Sequence, residues 1–244
     1  IYSELLHKTM ERYINKNAFK IISISELCLK LIKTQSNSQV LSIKNYPDRN
    51  YIKNYFIHKK NKFIHKYRYN ILIVGTIYKE CTPDSIIHSI SNLPRDIKNN
   101  TCLHYCGISN RSFDNSIINK DYINSLNHGY LSKKGTISLM MSADILISLH
   151  YDSIYGSTDE SNIFGSTKIF DYILSRKPIL NIGPNTSELC LFMKEIKYDQ
   201  FFTFSSNMVD AISSQTLELL LTPRICKNFK LPLFGTDFNI KNLI

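Results

Sequence analysis

Three apolar segments rich in branched side chains constrain the fold of this 244-residue chain more than any other feature. They are NILIVGTI (70–77), DILISLH (144–150) and PILNIG (178–183). Continuous apolar runs of this length are typical of strands that are covered on both faces. Because segments with helical spacing lie between them, the sequence predicts an α/β fold with a doubly wound parallel sheet.

Shorter segments extend this alternation along the chain. Thr82 and Pro83 mark the start of a helix, and Ser132 is placed to cap another. The further predicted elements are a strand at 102–108, a helix at 118–126, a short strand edge at 128–131, a helix at 186–195, a strand at 201–204 and a helix at 207–221.

The segment before residue 60 does not continue this series. KIISIS (20–25) and QVLSIKNYPD (39–48) predict two strands of a separate α/β unit. Ile1 opens on what reads as the middle of a helix, so we expect an upstream part to be missing. The predicted division is the end of an N-terminal α/β domain at 1–52, a basic linker at 53–68, a Rossmann-like domain at 69–222 and a tail at 223–244.

The chain is strongly basic, with a formal net charge of +10. Its stretch HKKNKFIHKYR (58–68) interleaves cations with aromatic rings, which is typical of single-strand nucleic-acid grooves and of segments that contact anionic lipid. Lysine is abundant along the whole chain, however, and no RNA- or DNA-binding signature accompanies the charge. We therefore expect no nucleic-acid partner.

The cysteines and the hydropathy pattern indicate a reduced, cytoplasmic protein. The six cysteines are scattered without a C-x-x-C pair, and the sequence has neither an apolar run of about 18 residues nor a secretory signal. Cys102, His104 and Cys106 alternate on a predicted strand, as core residues do more often than metal ligands. We expect no metal site.

Three loops at the predicted carboxyl ends of strands carry the residues of interest, because ligands of open parallel sheets bind at that edge. The first contains Gly75, Thr76 and Lys79, and the second contains Gly129, Tyr130 and Leu131. The third is Gly165–Lys168, where a helix start would offer free backbone N–H groups to an anion and Lys168 would add a full charge. Capping by Ser166 or Thr167 with an exposed Lys168–Asp171 ion pair is the simpler interpretation of this helix start.

The predicted helix after Gly165 has two faces. Lys168, Asp171, Tyr172 and Ser175 share one face by their spacing, and four apolar residues, Ile169, Phe170, Ile173 and Leu174, form the other. The polar face is expected to point toward the ligand. A carboxylate one turn into the helix would then accept hydrogen bonds from ribose hydroxyls.

The segment STKIFDYILSRKPIL (166–180) resembles the signature of bacterial GT-B-type glycosyltransferases of group 1, family four. Other segments resemble motifs of this family in the expected order. They are NAFKIISISE (17–26), IKNYPD (43–48), NILIVGTI (70–77), HGYLS (128–132) and MMSADILISL (140–149). The resemblance spans nearly the whole chain.

The resemblance implies two Rossmann-like domains with a nucleotide-sugar donor in the cleft and no metal or other cofactor. Carried over to this chain, Gly75 and Thr76 lie near the diphosphate with Lys79 as a charge partner, and Tyr130 and Leu131 border the base. The residues Gly165, Ser166, Thr167 and Lys168 hold the phosphates, and Asp171 holds the ribose. Lys168 stabilises the departing nucleoside diphosphate.

Two departures from the family pattern concern the donor sugar. The family's Glu-x7-Glu pair lacks its first member here, since Ile163 stands eight residues before Asp171. Glu160 or Asp159 would substitute for it, with Glu160 as the catalytic candidate. The second member is Asp rather than Glu, which leaves open whether the anomeric configuration is retained.

The implied activity is hexosyl transfer to a glycan or lipid-linked acceptor in surface polysaccharide biosynthesis. The basic linker would suit an anionic membrane surface, which places the protein in the cytoplasm or at the inner face of the cell membrane. As a fragment, the chain is expected to bind donor weakly and transfer little. A sugar-nucleotide epimerase and a non-catalytic nucleotide- or nucleic-acid-binding domain are the alternatives.

Overall fold

A computed structural model describes residues 2–23, 30, 32–33, 39–43, 46–55, 66–77, 83–108, 123–150, 168–222, 225–226 and 229. Its strands are β1 (Lys20–Ser23), β2 (Gln39–Ser42), β3 (Tyr69–Val74), β4 (Thr101–Cys106), β5 (Asn124–Asn127), β6 (Ile145–Leu149), β7 (Ile179–Ile182) and β8 (Phe201–Phe204). Its helices are α1 (Tyr2–Asn17), α2 (Arg49–Tyr55), α3 (Asp84–Ser91), α4 (Arg95–Asn99), α5 (Lys133–Ser142), α6 (Lys168–Ser175), α7 (Glu188–Glu195) and α8 (Val209–Leu221).

The strands form two parallel sheets. β1 pairs with β2 in a two-stranded sheet, and the other six strands lie in the order β5-β4-β3-β6-β7-β8. Every neighbouring pair in the larger sheet is parallel. The chain thus begins this sheet in its middle, winds outward to β5 and returns to the other side of β3. This order confirms the predicted doubly wound parallel sheet.

Helices cover both faces of the larger sheet. Ile71 and Ile73 of β3 pack with apolar residues of α3 and α8 on one face. Leu72 of the same strand packs on the other face with apolar residues of α5, α6 and α7. The continuous apolar runs in the sequence therefore reflect strands that are buried on both sides.

The prediction was wrong around β5. The predicted helix at 118–126 gives way to a strand at Asn124–Asn127, while residues 118–122 lie outside the described part. The predicted strand edge at 128–131 is the loop that follows β5. Pairing with β4 decides the conformation, and the Asn124 side chain adds hydrogen bonds of 3.1 Å to the carbonyl oxygens of Asn99 and Thr101. Such non-local contacts override local helical preference.

The predicted place of Tyr172 on a ligand-facing side of α6 was also wrong, whereas Lys168 and Asp171 of that side do line a cavity at the strand ends. Asp171 and Tyr172 are buried together with the apolar residues on either side of them. The Tyr172 hydroxyl donates to the Ile147 carbonyl oxygen and accepts from the Val74 N–H, both at 3.1 Å. The last residues paired between β3 and β6 are Ile73 and Ile147. The phenol therefore bridges one backbone group of each strand at the point where the two strands separate.

We predict that Tyr172→Phe lowers the free energy of unfolding by about 2 kcal/mol, because it leaves two buried backbone groups without this partner. Urea denaturation measures the change. Tyr13→Phe is the matched control, since Tyr13 is exposed on α1, and its effect should stay within about 0.5 kcal/mol. Equal stability of the Tyr172→Phe variant and the wild type would contradict the bridging role.

Candidate functional site

A cavity of about 230 Å³ opens where β3, β4 and β5 end. It lies beside the point at which β3 and β6 part, as expected for a ligand site in a doubly wound sheet. The lining residues are Val74, Gly75, Thr76, Cys106, Gly107, Ile108, Tyr130, Leu131, Lys133, Thr136, Met140, Lys168 and Asp171.

The cavity brings together all of the predicted donor-binding residues that the structure describes. These are Gly75, Thr76, Tyr130, Leu131, Lys168 and Asp171. The other predicted site residues, Lys79, Glu160, Gly165, Ser166 and Thr167, lie outside the described part. The helix N-terminus that was predicted to bind an anion is thus described only from Lys168 onward. The binding roles of all these residues stay predictions.

Two glycines allow a close backbone contact at the mouth of the cavity. Gly75 has φ +122° and lies against the Lys168 ammonium, where a Cβ would overlap Nζ. At Gly107, an added Cβ would overlap the Gly75 carbonyl oxygen. That oxygen accepts a hydrogen bond of 2.8 Å from the Tyr105 hydroxyl. The missing side chain at Gly75 leaves the space that Lys168 fills, and the missing side chain at Gly107 leaves the space for the Gly75 carbonyl group.

We predict that Gly107→Ala destabilises the fold by about 1–3 kcal/mol, because backbone atoms have no room to give way. Gly135→Ala is the matched control: its Cβ would meet atoms at an ordinary 3.5 Å, and alanine inside α5 should stabilise by about 0.5–1 kcal/mol. Thermal unfolding of the two variants should shift in opposite directions. A neutral Gly107→Ala variant would contradict the close packing.

The Asp171 carboxylate is 3% exposed and has two charged or polar partners. The Tyr51 hydroxyl donates to Oδ1, and the Lys133 ammonium pairs with Oδ2. The Tyr55 hydroxyl donates to the Asp171 backbone carbonyl at 2.7 Å. Sequence analysis missed Tyr51 and Lys133. Lys133 directly follows the predicted helix cap Ser132, and a cation at that position could have been recognised as a site residue. No sequence feature near Tyr51 indicated its role.

The charges around the cavity favour an anionic ligand. Lys168 and Lys133 supply two ammonium groups, and Asp171 supplies one carboxylate. Burial lowers the pKa of Lys168, and the Lys133 charge acts in the same direction, while Cys106 and Asp171 oppose it. Burial first, and then the hydrogen bond to Asp171, raises the pKa of Tyr51, so its phenol stays a donor. An anion between the lysines would stabilise both ammonium groups.

A buried polar chain supports the loop at Tyr130 and Leu131. The His104 ring donates from Nε2 to Asn70 Oδ1 at 3.0 Å, and its Nδ1 lies 2.9 Å from Nε2 of His128. His128 immediately precedes Gly129, whose carbonyl oxygen accepts from the Gly107 N–H at 3.0 Å. The chain of contacts therefore holds the 129–131 loop next to the loop after β4.

We predict that stability falls between pH 7 and pH 5. Burial, with a smaller effect of the His128 charge, lowers the pKa of His104 from 6.5 to about 4. The unfolded state then binds the proton more readily than the folded state. Neutral His104 therefore makes its full contribution to the free energy of unfolding above pH 6.5, and this contribution declines as the pH falls toward 4. His104 accounts for about 2 kcal/mol of this loss, and burial also lowers the pKa of His128 and of His150, which adds to it.

Urea denaturation at the two pH values measures this loss. In His104→Gln the difference between pH 7 and pH 5 should shrink, even if the variant is less stable at both. An undiminished difference would show that His104 is not its source.

Neither a metal-binding cluster nor a membrane-spanning helix is found among the described residues. Cys102, His104 and Cys106 are all buried, and the described part contains no group of three His, Cys, Asp or Glu side chains able to hold a metal ion. Among the described helices, none combines the length and apolar character that crossing a bilayer requires.

No protein-family model and no curated protein sequence matches the chain. Solved structures do match it. A UDP-forming α,α-trehalose-phosphate synthase from Burkholderia vietnamiensis superposes with a TM-score of 0.62 over 89% of this chain at 6% identity. WaaG, a glycosyltransferase involved in lipopolysaccharide biosynthesis, gives a TM-score of 0.58 over 86% at 13% identity. A TarM variant from S. aureus, in complex with Fondaparinux, α-GlcNAc-glycerol and UDP, gives 0.58 over 88% at 13% identity.

The chain has the GT-B glycosyltransferase fold. This confirms the Rossmann-like α/β fold that the family resemblance implied, while the second domain and the predicted domain bounds stay predictions. The match covers 54% of the trehalose-phosphate synthase chain, 57% of WaaG and 40% of TarM, so the present chain spans only about half of a GT-B protein of that size. At these low identities the likeness concerns the GT-B fold alone.

Proposed function

We propose that the chain is part of a glycosyltransferase that takes a sugar from a nucleoside-diphosphate donor. The observation that carries this proposal is the cavity at the strand ends of a GT-B fold, lined by Lys168 and Lys133. A diphosphate placed there would meet two ammonium groups beside the loop of Gly75 and Thr76. The structures of TarM in complex with UDP and of a UDP-forming synthase support the nucleotide as the ligand class.

In the proposed reaction, the bond between the anomeric carbon and the diphosphate oxygen breaks, and its electron pair leaves with the nucleoside diphosphate. An acceptor hydroxyl forms the new bond to the anomeric carbon and releases its proton. Lys168 stabilises the negative charge that develops on the leaving group. Gly165, Ser166 and Thr167 are proposed to contribute backbone donors, and Glu160 to contact the donor sugar.

The proposed acceptor is a glycan or a lipid-linked sugar in surface polysaccharide biosynthesis. The structural likeness to WaaG, a glycosyltransferase involved in lipopolysaccharide biosynthesis, supports this acceptor class. The basic segment 53–68 supports a location at the cytoplasmic face of a membrane, where it would contact anionic lipid. The proposal includes neither a metal nor another cofactor, in line with the family resemblance.

We predict that UDP, GDP or ADP at millimolar concentration raises the melting temperature of the chain by about 3–6 °C, because a ligand at ten times its Kd stabilises the folded state by about 1.4 kcal/mol. Lys168→Ala should abolish the shift, because it removes one of the two ammonium groups that line the cavity. Lys134→Ala is the matched control. Lys134 is exposed, follows Lys133 on α5 and is not among the described residues that line the cavity. Thermal-shift assays measure all three proteins.

Two results would overturn the proposal. One is the absence of a shift with all three nucleotides in the wild type. The other is tight, salt-sensitive binding to oligonucleotides that survives Lys168→Ala, which would favour a nucleic-acid-binding domain instead.

A further inference from the structure

Helix α2 precedes all strands of the six-stranded sheet in the sequence. It contacts Asp171, one of the residues that line the cavity. Tyr51 reaches the carboxylate, and Tyr55, one turn later, reaches the backbone carbonyl of the same residue. Tyr55 is 1% exposed and packs with Ile137 of α5 and Leu174 of α6. The helix is therefore fixed against the wall of the cavity by apolar contacts and by two hydroxyl groups.

We propose that Tyr51 is a positioning residue for nucleotide binding: with Lys133, it fixes the Asp171 carboxylate so that its remaining acceptor positions serve the ribose hydroxyls of a ribonucleoside diphosphate. This inference rests on the proposed function. It adds a residue of the preceding segment to a site that the sequence assigned to 69–222 alone.

The hydrogen-bonding capacity of the carboxylate supports the inference. An ionised carboxylate offers about four acceptor positions on its two oxygens. Tyr51 occupies one on Oδ1 and Lys133 occupies one on Oδ2, so the contacts among the described residues leave each oxygen one position for a ligand. A ribose diol presents two neighbouring hydroxyl donors, which matches one free position on each oxygen.

The surroundings of Asp171 explain why a positioning residue is needed. A carboxylate that is 3% exposed requires partners to remain charged. Lys133 is 58% exposed at its side chain and carries a long flexible stem, whereas Tyr51 has a rigid ring on the docked helix α2. The Lys133 ammonium lies 5.3 Å from the centre of the Tyr51 ring, so Tyr51 orients both members of the ion pair.

Tyr55 provides the matched control for Tyr51. Both tyrosines lie on α2, both donate to Asp171, and Phe removes one hydroxyl from each. Only Tyr51 contacts the carboxylate. A purely structural role of α2 would make the two variants alike in ligand preference, whereas positioning of the carboxylate would separate them.

The experiment compares the affinities of the chain for UDP, GDP and ADP with those for their 2′,3′-dideoxy counterparts by calorimetry. The wild type should prefer the ribose form at least about tenfold, since hydrogen bonds to a charged group contribute on this scale. Tyr51→Phe should reduce the preference by about fivefold or more, and Tyr55→Phe should keep it. The melting temperature of each variant shows that it is folded.

A second pair of variants keeps the test independent of α2. Lys133→Gln should reduce the ribose preference, and Lys134→Gln should keep it. The inference is overturned if the wild type binds the nucleotides without preferring ribose, or if Tyr51→Phe keeps the wild-type preference. Failure of the wild type to bind any of the nucleotides would overturn the proposed function as well, so the two failures are distinguishable.

Discussion

The pairing of one buried carboxylate organises the region around the cavity. Asp171 lies on α6, and its partners come from α2 and α5, so three helices meet at a single side chain. Water cannot stabilise a charge at 3% exposure, and the protein must supply the donors itself. The same residue thus stabilises the packing of helices and presents an acceptor to the cavity, which joins the architecture of the fold to its proposed chemistry.

The central strands were predictable because their sequences carry the physical cause of their burial. β3, β6 and β7 lie inside the sheet, and branched apolar residues dominate the sequence of each. β5 lies at one edge of the sheet and has the sequence NSLN, in which only Leu126 is apolar. Its conformation depends on β4, and no local pattern encodes that partner. For the same reason the burial of Tyr172 was missed: its two hydrogen-bonding partners lie on distant strands.

The composition of the candidate site followed from topology more than from any one motif. Parallel strands bring their carboxyl ends to one edge, so loops at Gly75, Tyr130 and Lys168 had to approach one another. The partners of Asp171 could not be obtained in this way. Lys133 is 38 residues away from it and Tyr51 is 120 residues away, and spacing arguments along one helix do not reach so far.

The docking of the segment before the larger sheet has a mechanical consequence. Tyr46 stacks on Phe192 at a centroid distance of 6.1 Å and meets Phe170 edge-on at 5.9 Å, while α2 is bound to Asp171 a few residues later. Within the described part of the chain, residues 46–55 are therefore packed against helices that cover the six-stranded sheet. Any displacement of the β1–β2 sheet that keeps these contacts would leave the hydrogen bonds to Asp171 intact.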